Sequence, residues 1–210
     1  MENLSSPSPD LFRLLVSWSD VKQLAMITTK IFLSALGLAW LITFNLAAGE
    51  FPDSWTWDRK AEVRAKHAAL EGRPMPSLKG LSQWLNGEVK ASELKGKVVI
   101  VDFYATWCGP CMRAIPHNNE LHRKYAGRGL VVIGVCTSSR GQDRFESNAR
   151  EYRIAYPVAR DATRAVEKLW QVSYYPTYAA IDRKGILRAI GLQPNRVEAV
   201  VEKLLAESGE

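Results

Sequence analysis

Two short, almost uninterrupted apolar runs constrain the fold of this chain more than any other feature. Residues 97–104 have the sequence KVVIVDFY, and residues 130–136 have the sequence LVVIGVC. Runs of this length with so few polar positions are typical of strands in the buried middle of a sheet. Residues 109–126 between them have a helical pattern, in which Pro116 is expected to kink the helix because it lacks an N–H. Strand and helix therefore alternate, which predicts an α/β fold.

The segments around these two runs extend the alternation. Asn86-Gly87 lies between apolar segments and predicts a β-hairpin ahead of the first run. A helix at about 142–152 and a short strand at 156–158 form an α-β insertion, followed by a helix near 163–170. The sequences TYAAID and ILRAIG predict an antiparallel hairpin. A final helix carries apolar residues at helical spacing: Val197, Val200, Val201, Leu204 and Leu205.

The sequence WCGPC at residues 107–111 places two cysteines directly after the first apolar run. A Cys-x-x-Cys pair can hold a metal, cross-link a fold or exchange electrons. The chain has only three cysteines, whereas a scaffold that depends on disulfides is usually much richer in them. It has no second Cys-x-x-Cys, and its three histidines lack the spacing of a zinc finger. Electron exchange is therefore favoured, and no metal ion is expected.

The two cysteines are predicted to have different roles. Cys108 precedes the helix, where unpaired backbone N–H groups and the helix dipole favour a thiolate, so we expect an acidic and exposed nucleophile. Cys111 lies almost one turn further along and deeper, and is expected to be the resolving thiol. Gly109 permits close approach of a partner backbone, and Pro110 begins the helix without wasting a donor. No cofactor is expected beyond the redox-active disulfide Cys108-Cys111.

Asp102 lies within the first apolar run, where a lone carboxylate is costly and its pKa tends to rise. We interpret Asp102 as a buried base that helps to deprotonate Cys111. The alternative is a carboxylate that faces water at a strand edge. Cys136 ends the second run and is predicted to be a small core residue rather than a third redox centre.

An uncharged stretch of 18 residues, 31–48, precedes all of these elements. As a helix it would span about 27 Å, close to the hydrocarbon thickness of a bilayer. Basic residues before the stretch and acidic residues after it predict a cytoplasmic N-terminus. A cleaved signal peptide ending near Ala47-Ala48-Gly49 is the alternative. The predicted organisation is a cytoplasmic segment, a transmembrane anchor, a juxtamembrane spacer and a globular domain, at 1–30, 31–48, 49–74 and 75–210.

The spacer contains a short predicted helix, with Asp58 as a possible cap and Gly72 as a stop. His67 in this helix has no partner in the sequence and is expected to be solvated. The formal net charge of the chain is +6, which raises nucleic acid as a partner. Basic and acidic residues alternate beyond residue 112, however, which favours a solvated surface without nucleic acid and allows a preference for acidic protein partners.

The cysteine motif and its surroundings resemble thioredoxin. WCGPC follows Asp102, Pro116 lies in the next helix, and Tyr175-Pro176-Thr177 stands where the cis-proline loop would be, so the match covers about residues 75–207. The predicted N-terminal hairpin, the sequence ELKGK, the insertion and the sequence PTYAAIDRKG resemble more specifically the TlpA/ResA-like, membrane-anchored thiol:disulfide oxidoreductases. This resemblance implies a thioredoxin-like central mixed β-sheet flanked by helices, with an N-terminal β-hairpin and an α-β insertion, preceded by a single transmembrane helix.

The same resemblance implies residues that bind the substrate. Pro176 should be cis and face Cys108, while neighbouring backbone groups, including those of Tyr175 and Thr177, are presented to an extended substrate. Trp107 should shield the disulfide and form part of the docking surface, although a tryptophan beside a core strand can also simply pack. Bulky Tyr175 is expected to narrow the partner groove.

The chain also departs from the family pattern. Ala114 stands where many TlpA/ResA-like members have a glutamate, and Asp102 stands where many have asparagine. Thioredoxins usually pair their buried aspartate with a lysine from the neighbouring central strand, and LVVIGVC offers none. The means by which this chain tunes its cysteines is therefore left open by the sequence.

The function implied by the resemblance is that of a membrane-anchored disulfide reductase that exchanges electrons with protein thiols. Its catalytic domain would face the periplasm or cell exterior from the inner (cytoplasmic) membrane. A DsbD/CcdA-like transmembrane electron donor would keep it reduced, and cytochrome c maturation or general disulfide reduction would be its task. The alternatives are a copper-binding assembly factor that uses Cys108 and Cys111 as soft ligands, or a thiol peroxidase.

Overall fold

The computed structural model of the protein describes residues 50–207. The predicted cytoplasmic segment 1–30 and transmembrane anchor 31–48 lie outside these residues. Within the described range, none of the helices combines the length and the hydrophobicity that a membrane crossing requires.

A six-stranded sheet forms the centre of the described part of the chain. Its strands are β1 (Ser82–Leu85), β2 (Val98–Tyr104), β3 (Leu130–Cys136), β4 (Val158–Arg160), β5 (Thr177–Ile181) and β6 (Leu187–Leu192), in the spatial order β1-β4-β3-β2-β5-β6. β3 is parallel to both β2 and β4, and the other neighbours are antiparallel. The predicted mixed sheet is confirmed.

Five α-helices accompany the sheet within the described residues: α1 (Ala61–Ala68), α2 (Gly109–Tyr125), α3 (Phe145–Glu151), α4 (Ala165–Leu169) and α5 (Val197–Ala206). Apolar residues of α2, α3 and α5 form one buried cluster with Val98, Ile100 and Tyr104 of β2. Val99, Val101 and Phe103 belong to a second cluster with residues of α4. Because successive strand residues point to opposite faces, Asp102 belongs to the face that α2 covers.

The predicted N-terminal β-hairpin is wrong. Asn86 and Gly87 have positive φ angles of 61° and 104°, as a turn requires, but β1 pairs with β4 and not with the residues that follow. The Asn86 side-chain amide donates to the carbonyls of Ile154 at 2.7 Å and Tyr156 at 3.1 Å. These bonds attach the end of β1 to the chain just before β4, and the next residues form a short 3-10 turn at Ala91–Leu94.

The α-β insertion is present as α3 and β4. The strand begins at Val158, two residues after the predicted start at Tyr156. Tyr156 is instead fully buried, and its hydroxyl faces Asp102. β5 and β6 form the predicted antiparallel hairpin, and α5 carries the predicted apolar face.

Residues 50–74 lie against the outer edge of β6. The N–H of Trp57 donates to the Gly191 carbonyl at 2.9 Å, and the N–H of Gly72 donates to the Leu187 carbonyl at 2.8 Å. Asp58 does not cap α1, whose N-cap is Lys60, and instead points inward. This segment is therefore bonded to the sheet at both of its ends.

The expectation that His67 is solvated is also wrong, because its side chain is fully buried. Its Nδ1 lies 2.9 Å from an Asp58 carboxylate oxygen, and its Nε2 lies 3.2 Å from the Gln171 carbonyl. Burial alone would raise the pKa of Asp58, but hydrogen bonds from His67 and Tyr174 hold that pKa below its usual value. Arg64 also contacts this carboxylate, at 3.4 Å.

We expect Asp58→Ala to lower the free energy of unfolding by about 3 kcal/mol, because it leaves buried His67 without its carboxylate. Asp53→Ala is the matched control, since Asp53 also pairs with Arg64 but its side chain is 77% exposed. That variant should change stability little. Urea unfolding of the full-length chain, followed by circular dichroism, measures both. Equal effects of the two substitutions would show that the buried Asp58–His67 pair contributes no more to stability than the exposed Asp53–Arg64 pair.

Candidate active site

Cys108 and Cys111 are joined by a disulfide at the N-terminus of α2. Their Cα atoms are 5.3 Å apart, and the N–H of Cys111 donates to the Cys108 sulfur at 3.2 Å. Cys108 is the N-cap of α2, and Pro110 lies in its first turn, where a missing N–H costs nothing. Once the disulfide is reduced, the same N–H and the helix dipole would stabilise a thiolate on Cys108.

Cys108 is less exposed than predicted. Only 4% of its surface is accessible, against 1% for Cys111, so the predicted order is kept but the expected exposed nucleophile is not found in this disulfide form. Both cysteines belong to the large cluster under α2, and Tyr175 packs against that cluster.

Trp107 is partly exposed, with 43% of its surface accessible. Its ring meets the Tyr175 ring edge to face, with centroids 5.9 Å apart. Its indole N–H donates to the Ser138 hydroxyl at 3.3 Å, and the Arg140 guanidinium lies 4.6 Å from the ring centre. Trp107 is thus held in place by neighbours while one side remains available for a partner.

The peptide bond between Tyr175 and Pro176 is cis, as the resemblance implied. β5 begins immediately afterwards at Thr177, which pairs with Phe103 of β2. Because β2 leads into the cysteine motif and β5 is antiparallel to it, the cis-proline loop lies at the same end of the sheet as the cysteines. The Thr177 hydroxyl donates to the Tyr174 carbonyl at 2.6 Å, which closes the loop.

Glu167 is a buried residue that no motif of the sequence marks. It accepts hydrogen bonds from the hydroxyls of Tyr175 and Thr137, each at 2.6 Å, and forms an ion pair with Arg164. Burial alone would raise the pKa of Glu167, but the bonds from Arg164, Thr137 and Tyr175 lower it. A charged Glu167 therefore fixes the Tyr175 ring next to Trp107.

Asp102 is fully enclosed, with 1% of its surface exposed, so the alternative of a carboxylate facing water is wrong. The Asn118 side-chain amide donates to Asp102 Oδ2 at 2.9 Å, and the Tyr156 hydroxyl lies 3.4 Å from the same oxygen. The other oxygen, Oδ1, has no hydrogen-bond partner among the described residues. Burial raises the pKa of Asp102 to about 7. This value suits a group that exchanges a proton near neutral pH.

Asn118, Tyr156 and Tyr178 form a polar group around Asp102. The Asn118 amide nitrogen lies 3.0 Å from the Tyr178 hydroxyl and 3.3 Å from the Tyr156 hydroxyl. The sequence does contain a signal for Asn118, because it lies at helical spacing with the buried residues Cys111, Ile115 and Leu121. No comparable local signal marks the two tyrosines.

The structure also shows the surroundings of Gly109 and Cys136 and the distribution of side chains that could bind a metal ion. A Cβ added to Gly109 would meet only the Arg113 guanidinium, at 3.5 Å, so the described chain itself does not require a glycine there. Cys136 is unpaired and buried, and burial raises the pKa of its thiol to about 12, as suits a core residue. Within residues 50–207, no three His, Cys, Asp or Glu side chains cluster in a way that could hold a metal ion.

A mixed sheet of this order, with a Cys-x-x-Cys disulfide at a helix N-terminus beside a cis-proline loop, defines the class of thioredoxin-like thiol:disulfide oxidoreductases. The model of the AhpC/TSA family matches residues 72–190 of the chain. The protein belongs to this family.

Two of the three relatives described next, YkuV and ResA, carry names of the same class. The chain is 35% identical over 144 residues to protein DipZ of Mycobacterium tuberculosis, covering 63% of this chain but only 21% of DipZ. It is 32% identical to the thiol-disulfide oxidoreductase YkuV of Bacillus subtilis, covering 65% of this chain and 97% of YkuV. The thiol-disulfide oxidoreductase ResA of Bacillus cereus is 29% identical over 120 residues, which is 56% of this chain and 69% of ResA.

Solved structures agree on the fold. The solution structure of a thioredoxin-like protein in its oxidized form superposes with a TM-score of 0.57 at 33% identity, covering 64% of this chain and 96% of the other. The crystal structure of a DsbE thiol:disulfide interchange protein from Chlorobium tepidum gives a TM-score of 0.55 at 29% identity, with 65% and 97% covered.

Proposed function

We propose that this protein is a membrane-anchored disulfide reductase that exchanges electrons with extracytoplasmic protein thiols through Cys108 and Cys111. The observation that carries the proposal is the disulfide at the N-terminus of α2, beside the cis-proline loop. The names of the relatives YkuV and ResA support the reaction class. The apolar stretch 31–48 and its flanking charges support the anchor and the location at the inner (cytoplasmic) membrane, with the catalytic domain in the periplasm or at the cell exterior.

The reaction has two exchange steps. The Cys108 thiolate attacks one sulfur of a partner disulfide, forming a mixed disulfide and releasing the other partner sulfur as a thiolate that takes up a proton. Cys111 then loses its proton and attacks the Cys108 sulfur. The bond between Cys108 and the partner breaks, the second partner thiol is released, and the Cys108–Cys111 disulfide forms. Two electrons pass to the partner, and its two sulfurs take up one proton that comes from Cys111 and one from solvent.

Asp102 is proposed to accept the proton of Cys111 in the second step. The support is that Asp102 is buried on the face of β2 that packs against α2, the helix that carries Cys111. With a pKa of about 7, the carboxylate is partly ionised at neutral pH and can take up a proton. Trp107, Gly109, Pro110, Tyr175, Pro176 and Thr177 are proposed to form the surface on which the partner lies.

The protein must be reduced again after each cycle. A DsbD/CcdA-like transmembrane donor is proposed to supply the electrons, because the glutathione and thioredoxin systems that reduce cytosolic thiols do not act on that side of the membrane. Reduction of apocytochrome c before haem attachment, or general disulfide reduction, is the proposed task. The Gly-Pro pair between the cysteines favours the reducing direction, by its resemblance to thioredoxin.

We expect Cys111→Ala to accumulate mixed disulfides through Cys108, because the resolving attack is lost while the first attack remains. The full-length variant is expressed in its host membrane, alkylated, and separated without reductant, and mass spectrometry identifies the adducts. The double variant Cys108→Ala/Cys111→Ala is the control and should carry none. Absence of adducts from the single variant, in cells where the chain is present in the membrane, would overturn the proposed exchange.

A further inference from the structure

A groove of about 800 Å³ lies beside the cysteine pair. Pro110 and Arg113 of α2 form one side, and the residues 173–175 ahead of the cis-proline form another. The third side comes from residues 57–66, which precede the part of the chain that the family model matches. The groove is of the size that binds small molecules or short peptide segments. A segment attached to Cys108 would therefore have its flanking residues within reach of this groove.

The third side is held firmly against the cis-proline loop. The Tyr174 hydroxyl donates to Asp58 Oδ1 at 2.6 Å, and the same carboxylate pairs with buried His67. A Cβ added to Gly191 would lie 2.7 Å from Asp58 Oδ1, so a glycine is needed for this approach. The groove is thus formed before any partner arrives, which lowers the ordering cost of binding.

Basic side chains dominate the rim. Arg59, Lys60, Lys66 and Arg113 line the groove, against a single acidic residue, Glu62. None of these four basic residues forms an ion pair with an acidic side chain of residues 50–207. Their charge is therefore available to a partner, and a concentration of one sign in a cleft attracts ligands of the opposite sign.

The remaining lining is largely apolar. Trp57, Val63, Tyr174 and Tyr175 are half-buried, and exposed Pro110 adds an apolar surface next to Cys111. Aromatic side chains of this kind offer large contact areas at low cost in side-chain freedom. A ligand that complements both the basic rim and the apolar lining of the groove carries negative charge together with an apolar side chain.

We propose that this groove binds the segment that flanks the reactive cysteine of the protein substrate, and that it selects segments with acidic residues next to a large apolar side chain. The inference rests on the proposed function, since it names the substrate class of the same active site. Charge complementarity at Lys60, Lys66 and Arg113 carries the preference for acid. Residues 57–66 thereby serve as a specificity element in front of the redox site.

The test compares peptides with the reduced full-length protein. Each peptide carries one cysteine as a mixed disulfide with thionitrobenzoate, whose coloured thiolate leaves when Cys108 attacks the peptide sulfur. One peptide has glutamate and leucine beside the cysteine, and the second has glutamine in place of glutamate. We expect the acidic peptide to react about tenfold faster at low ionic strength, and the advantage to shrink as salt is added.

Charge reversal locates the preference. Lys60→Glu/Lys66→Glu should remove the advantage of the acidic peptide. Lys79→Glu/Lys95→Glu makes the same change in net charge at exposed residues that do not line the groove, and should keep it. An advantage that survives in the first variant, or that disappears in the second, overturns the assignment.

The remaining outcomes separate the inference from the proposed function. Equal rates for the two peptides overturn the groove assignment and leave the reductase function standing. No reaction with either peptide overturns the proposed function itself. A lipid occupant is tested with short-chain phosphatidylglycerol, with short-chain phosphatidylcholine as its control. If phosphatidylglycerol abolishes the faster reaction of the acidic peptide and phosphatidylcholine does not, the groove binds lipid headgroups and the proposal of a peptide occupant is overturned.

Discussion

Replacing Cys108 by serine is expected to lower the rate of protein disulfide reduction by about a thousandfold or more. Thiolate is the attacking species in exchange, and a serine hydroxyl neither ionises near neutral pH nor forms a mixed disulfide. Cys111 is not expected to take over the role, because only 1% of its surface is exposed. The measurement is the initial rate of reduction of a protein disulfide by the pre-reduced full-length chain.

Cys136→Ala is the matched control for this prediction. Cys136 is buried, and the pKa of its thiol is raised to about 12, so almost none of it is thiolate at neutral pH. The variant should keep the wild-type rate and lose about 1 kcal/mol of stability from the missing sulfur. Comparable loss of activity in both variants would point to unfolding rather than chemistry. Alkylation mapping of the reduced protein adds a direct check, and an inert Cys108 at neutral pH would contradict its assignment as the nucleophile.

Replacing Asp102 by asparagine is expected to change how stability depends on pH. Burial raises the pKa of Asp102 to about 7 in the folded chain, whereas the pKa of an aspartate in the unfolded chain is about 3.9. Between these values the unfolded state loses its proton and the folded state keeps it. Wild-type stability therefore falls as pH rises from about 4 to about 7, and the fall ends once both states are ionised.

The asparagine variant lacks this titration. Its free energy of unfolding relative to wild type should therefore increase by about 4 kcal/mol between pH 4 and pH 8. In this variant an amide stands where Asp102 Oδ1 has no hydrogen-bond partner among the described residues. The effect of that amide on the free energy of unfolding is the same at every pH, so it does not alter the difference. Urea unfolding at a series of pH values measures it. The matched control Asp143→Asn changes an exposed residue, keeps Asp102, and should therefore follow the wild-type dependence of stability on pH.

The same variant tests the proposed role of Asp102 in the resolving step. Release of a partner from Cys108 by Cys111 should slow in Asp102→Asn, with a changed pH profile, because the proton acceptor is gone. Single-turnover kinetics of a preformed mixed disulfide isolate this step. A release rate that matches wild type at every pH would show that Asp102 is only structural.

The sequence was most informative where local pattern decides the structure. β3 coincides with the predicted apolar run and β2 begins one residue inside its own, because buried strands need apolar residues on both faces. The position of Cys108 at the N-terminus of α2 follows from the same local order. The cis bond before Pro176 was expected only through resemblance, since most X-Pro bonds are trans.

The sequence was least informative where partners lie far apart in the chain. Asn86 bonds to residues some seventy positions later, and β1 pairs with β4 rather than forming a hairpin with its neighbours in the chain. His67 finds the Gln171 carbonyl more than a hundred residues away. Glu167 is an ordinary polar residue of its helix until the fold places Thr137, thirty residues earlier, beside its carboxylate.

The bonds between residues 50–74 and β6 have a consequence for the sheet as a whole. β6 is a terminal strand, and an uncovered strand of this kind offers free N–H and C=O groups to any extended chain nearby. Here the Leu187 N–H donates to the Arg73 carbonyl, and the Gln193 N–H donates to the Trp55 carbonyl. A chain cut at the start of the globular domain would lose this cover and become a template for aggregation by strand addition.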